Sequence, residues 1–138
     1  MTYAELKTNI ANYLNRSDLT SDIDMFIDNT EGELNRRLRT KDMIKRATAT
    51  ADSQYLSVPS DWMEAINVEI TSNNFRPLFQ QSIESLDVYR QSNNNVAGEP
   101  IYFAIVDDSI ELAPTPDTSY TLQLTYYGSI DALSDSNT

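Results

Sequence analysis

Asp107, Asp108 and Glu111 are the residues of this 138-residue chain whose types and spacing come nearest to chemistry. Two carboxylates held close together can divide acid and base work, and several carboxylate oxygens can hold a hard cation. A tight turn between "FAIV" and "IEL" accounts for the same aspartates, because Asp is favoured in turns and tolerates left-handed backbone. The turn is the reading adopted. Asp22, Asp24 and Asp28 faintly resemble a calcium loop but lack its glycine and its closing Glu, so they are expected to be acids at the start of a helix. The chain has no His and no Cys. A Ser nucleophile would then need a Lys base, and no S-x-x-K occurs. The commonest general base, thiol nucleophiles, thiolate metal sites and disulfides are all excluded. No catalysis, cofactor or metal is expected.

The elements that carry these residues change character near residue 42. Thr2 and Glu5 form a T-x-x-E capping box, after which Tyr3, Leu6, Ile10, Tyr13 and Leu14 recur at helical spacing. Ser21 and Asp24 suggest a second box, opening a helix from about 21 to about 40 with Ile23, Phe26, Ile27, Leu34 and Leu38 along one stripe. Beyond residue 42 the period is two. "MIKRATATA" and "QYLSVP" flank the turn "DSQ". "WMEAINVEI" alternates with one mismatch at Glu64, and Asn73-Asn74 marks a turn before "FRPLFQQS". A helix capped by Ser82 spans 82–92. A hairpin over Asp107-Asp108 follows, then the strand "SYTLQLTYY", with Tyr120, Leu122, Leu124 and Tyr126 on one face. The expected fold is α+β: an N-terminal helical hairpin (1–41) packed on a small antiparallel β sandwich or barrel of about six strands (42–129). The two parts form a single domain, 1–129, and a polar tail at 130–138 lacks apolar anchors. Tyr126 and Tyr127 must put one ring on each face, which makes one of them a candidate interface anchor.

The charge distribution is uneven. The chain has net charge −11, yet residues 36–46, "RRLRTKDMIKR", hold Arg36, Arg37, Arg39, Lys41, Lys45 and Arg46, six of its ten basic residues. The helix macrodipole explains the arginines at the end of the second helix, and Glu33 with Arg37 is a favourable i, i+4 pair. Lys41, Lys45 and Arg46 lie beyond that helix, so the cluster is also expected to face acidic residues of a partner or, second, nucleic-acid phosphates. The acidity of the rest argues against DNA binding by the whole surface. The opening "MTYAELKTNI" has no signal-peptide pattern and no segment is apolar enough to span a membrane, so a soluble protein made in the cytoplasm is expected.

The order of "TYAELKTNIANYLNR", "DIDMFIDNTEGELNRRLR", "YLSVPSDWMEAINVEI" and "GEPIYFAIVDDSIELAPTPDTSYTLQLTYYGSIDALSDSNT" resembles the head-to-tail connector, or portal adaptor, proteins of tailed bacteriophages. The likeness spans nearly the whole chain. It rests on "LSVPSDW" and on Gly98, Pro100, Tyr102, Phe103, Ile110, Leu112, Pro114, Pro116, Tyr120, Leu122, Leu124, Tyr126 and Tyr127, all of them turn, strand or core positions. The resemblance implies a virion structural protein of the neck or tail. Such a protein forms a homo-oligomeric ring, commonly of twelve copies, that docks beneath the portal protein, meets a tail or nozzle protein and lets double-stranded DNA pass without specific binding. Similar proteins usually continue beyond "ALSDSN" into a further helical segment, so a shortened chain or a short family member is expected here. Two other classes compete: a tail or receptor-binding β domain, which would show an open aromatic groove and no ring, and a DNA-binding regulator.

Overall fold

The computed structural model describes residues 1–72 and 74–136, which divide into two compact units: 1–41 with the chain from 129 onward, and 42–128. The expected turn at Asn73-Asn74 and the last two residues of the tail lie wholly or partly outside the described residues.

In the first unit, α1 (Tyr3–Leu14) and α2 (Thr20–Arg37) pack together. The Thr2 hydroxyl accepts from the Glu5 N–H at 3.2 Å while the Thr2 N–H donates to Glu5 Oε2 at 2.8 Å, the expected capping box. Asn15 ends α1 in the left-handed region at φ 50°, where a short polar side chain is tolerated. The second box does not form. α2 begins two residues earlier than that box requires, with Leu19 as an uncapped N-cap, so Ser21 already has helical backbone and cannot cap. The helix stops at Arg37 because Leu38 turns extended. Residues 130–136, expected to be short of apolar anchors, make polar contacts to α2. The Ile130 N–H donates to Asn35 Oδ1 and the Leu133 N–H to Glu31 Oε1.

The second unit has eight strands among the described residues, not six. They are β1 (Ile44–Ala51), β2 (Tyr55–Ser57), β3 (Trp62–Ile70), β4 (Arg76–Pro77), β5 (Phe79–Gln80), β6 (Tyr102–Val106), β7 (Ser109–Ala113) and β8 (Tyr120–Gly128). They form two open four-stranded sheets, ordered β1-β8-β3-β4 and β2-β7-β6-β5, and no barrel closes. Strands β1 and β2, adjacent in sequence, pair with β8 and β7 and so belong to different sheets. The short return strand is likewise divided, β4 on one sheet and β5 on the other, where it pairs parallel to β6. One core joins the sheets. Val68, Ile70, Leu122, Leu124 and Tyr126 from the first meet Phe103, Ile110 and Leu112 from the second.

Alternation then assigns the other faces. On the second sheet, Tyr102, Ala104 and Ala113 point away from this core toward α3 (Ile83–Ser92), whose Leu86 and Tyr89 cover them. Glu111 must share that face. On the first sheet two outer rows are polar, Arg46–Thr125–Asn67 and Thr48–Gln123–Glu69, each with its β8 residue in the middle. The mismatch at Glu64 is a β-bulge. Irregularities between Trp62 and Glu64 and between Ala65 and Asn67 switch the facing, so Ala65 packs on the core while Ile66 is exposed.

Candidate interaction surfaces

The carboxylates that opened the sequence reading do not converge. Asp107, at φ 52°, and Asp108 make the tip of the β6–β7 hairpin, while Glu111 faces α3. There Arg90 Nη1 meets Glu111 Oε1 at 2.6 Å, and the two side chains are 12 % and 6 % exposed. Gln54 Nε2 donates to the same oxygen at 2.9 Å, and Arg90 Nη2 donates to the Leu112 carbonyl at 2.8 Å. Arg90 Nε is buried without a partner among the described residues. This network pins α3 and the approach to β2 onto β7. Asp24 is likewise occupied in structure, accepting from Tyr3 OH and pairing with Lys7. No group of three or more potential metal ligands comes together among the described residues.

The basic stretch divides between the units. In α2, Glu33 takes both Arg36 (2.7 Å) and Arg37 (2.5 Å), with both guanidinium side chains largely exposed. Arg39 Nη1 donates to the Asn35 and Leu38 carbonyls, satisfying acceptors that a helix end leaves open. Lys41 is exposed in a short 3₁₀ turn. In β1 the two remaining cations point to opposite faces. Arg46 is exposed on the outer polar row, and Lys45 turns to Asp61 Oδ2 at 2.7 Å.

Asp61 explains why "LSVPSDW" has its form. Its other oxygen accepts from Tyr126 OH at 3.0 Å, and Trp62 stacks on Tyr126 with ring centroids 4.9 Å apart. Gly128 leaves the room: a Cβ there would lie 2.7 Å from Lys45 Cδ and 2.9 Å from Asp61 Oδ2. The hydrogen bond from Lys45 holds the Asp61 carboxyl below its ordinary range, and burial with the Asp61 bond raises the Tyr126 hydroxyl. Tyr126 is therefore a core residue and no longer a candidate anchor. Tyr127 is half-buried on the opposite face.

Sequence reasoning missed two apolar surfaces. Beside α3, a groove of about 260 Å³ is lined by Gln81, Ser85, Leu86, Val88, Tyr89 and Tyr102. Tyr89 meets Tyr102 edge-on at 5.1 Å and Phe79 lies 6.5 Å from Tyr102, with Phe79 58 % and Val88 61 % exposed. In the helical unit, Leu6, Ile10, Phe26, Leu34 and Leu133 line a second groove of about 250 Å³. The exposed Val88 beside Tyr89 was the available signal for the first, since an aliphatic residue on the outer side of an amphipathic helix has no core to fill.

Among the described residues no helix is long and apolar enough to cross a membrane. A search among curated proteins finds no match. A family model described as the SU10 adaptor protein matches residues 1–138, so the chain belongs to this family of phage adaptor proteins, structural components of the virion.

Proposed function

We propose that the chain is the subunit of a head-to-tail connector ring, docked beneath the portal and above a tail or nozzle protein, through which the genome passes. The observation that carries the reading is the family match over all 138 residues. The described side chains agree with it: their ion pairs and hydrogen bonds hold elements together, and the exposed features are charged or apolar patches suited to protein contacts. A net charge of −11 suits a conduit, because acidic walls repel a passing duplex rather than grip it. A ring commonly of twelve copies follows from the resemblance.

The open groove floored by Tyr89 and Tyr102 favours one second reading, a tail domain that binds a cell-surface ligand. Mixing the purified chain with its portal, then imaging the particles and measuring their mass, separates the two. A ring of adaptor density on the portal is expected. A chain that never joins the portal, yet binds host-cell envelopes as a monomer, refutes the connector and leaves the receptor reading.

A further inference from the structure

A ring built from one kind of subunit needs two unlike surfaces that fit each other, so that each copy offers one surface to its neighbour on either side. We infer that the groove beside α3 receives the end of α2, centred on Leu38, from a second copy of the chain. The inference rests on the connector reading and assigns the surfaces that would make the ring.

The groove side is apolar and lies along a helix that carries exposed acids. Its floor is Tyr89 and Tyr102, its wall Val88, and Phe79 extends the aromatic row. Glu84 and Asp87 stand on the same helix. Glu84 is one turn before Val88, and Asp87 is 68 % exposed despite a long 3.6 Å approach to Arg90. Arg90 is held mainly by Glu111 and the Leu112 carbonyl, and so offsets little of the charge of Glu84 and Asp87. Residues 42–128 as a whole carry twelve acidic and four basic residues.

The end of α2 has the opposite character. Leu34 and Leu38 are 45 % and 38 % exposed, and residues 36–41 add Arg36, Arg37, Arg39 and Lys41 with no acid among them. Leu38 sits where the helix turns extended, with Arg37 and Arg39 beside it in the chain. An exposed aliphatic side chain among cations complements an aromatic groove on an acidic helix in apolar character and in charge. An acidic peptide would meet the like-charged carboxylates of α3.

The chain has no cysteine, so introduced thiols report a single contact. L38C and V88C are made as separate, differently tagged full-length proteins, mixed under mild oxidation, and tested free at high concentration and assembled on the portal. Mixed 38–88 dimers well above the random share are expected. E84K/D87K should weaken association about tenfold, because like charges across a contact cost more than the roughly 1.4 kcal/mol a factor of ten requires. Adding R36E/R39E to that variant should restore it. Random crosslinking in both settings, or loss without rescue, overturns the assignment. Rings that form on the portal without the 38–88 crosslink overturn it while leaving the connector reading intact. A chain that never joins a portal refutes that reading, and the crosslink between free copies then still decides the contact.

Discussion

Replacing Glu111 with Ala tests whether the network beneath α3 carries the stability its burial implies. The change deletes an acceptor that takes hydrogen bonds from both Arg90 and Gln54, and it leaves a guanidinium in a site where the side chain is only 12 % exposed. Two partners remain, the Leu112 carbonyl at 2.8 Å and the exposed Asp87 at 3.6 Å, and the second contributes little through solvent. Breaking a buried pair from one side costs about 3–5 kcal/mol, and the retained carbonyl bond puts this case near 3. In a domain of ordinary stability that is a large fraction of the total, and it corresponds to a melting temperature lower by about 10 °C. E111Q, which keeps an oxygen toward Arg90, should cost roughly half as much. R90M/E111L, which removes both charges, should return to within about 2 kcal/mol of the parent. Urea unfolding followed by Trp62 fluorescence reads the β unit specifically, since Trp62 is the sole tryptophan and stacks on the core residue Tyr126. A loss below about 1 kcal/mol for E111A, or equal losses for E111A and E111Q, would refute the reasoning, because either means that the pair is effectively hydrated.

D61N should remove an acid-sensitive component of stability. The Asp61 carboxyl titrates below its ordinary 3.8 in the fold, so its contribution is present above that value and is lost as pH falls through the lower folded pKa; stability profiles of parent and variant should differ above about pH 4 and converge in stronger acid. G128A should destabilise by about 1–3 kcal/mol, because its Cβ collides with Lys45 and Asp61. Equal stability of parent and G128A in urea would show that the Lys45–Asp61 pair is free to move. R36E/R39E should leave the circular dichroism of the monomer nearly unchanged while abolishing ring formation at about 0.1 M salt. Normal rings with reduced affinity for duplex DNA would give the basic stretch to phosphates instead.

Local rules made part of this molecule legible. Thr2 with Glu5, Ser82 before α3, and Asp107-Asp108 between two apolar runs each act over three or four residues, and each appears as read. The strict alternation of β8 likewise requires only the pleat. The misreadings share another cause. Whether Ser21 caps depends on where α2 starts, which no residue before it dictates, and the two bulges that turn Ala65 inward depend on registration against β8. Assigning β1 and β2 to different sheets, or joining Arg90 to Glu111 across 21 residues, requires knowing which surfaces meet. The basic stretch was legible as composition and, in the Glu33–Arg37 pair, as helix-end electrostatics. The clasp of Lys45 on Asp61, 16 residues away, was not.

The same charges set how copies of the chain should meet. Each carries −11, so two copies repel as whole bodies, while the surfaces assigned above attract at contact. These interactions have different reach. Whole-body repulsion acts over tens of ångströms and is strong at 0.01 M salt, where the screening length is about 30 Å; it fades by 0.1 M, where that length is about 10 Å. Contact pairs a few ångströms apart survive that change and weaken only toward 1 M, where the length is about 3 Å. Self-association measured by sedimentation should therefore rise from about 0.01 to 0.1 M salt and fall again toward 1 M. A steady rise would mean that the contact is held by apolar surface alone, and a steady fall that repulsion between copies never limits assembly. With a maximum, E84K/D87K should lose the falling limb and keep the rising one, because the substitutions remove the attraction at contact while the chain retains most of its negative charge.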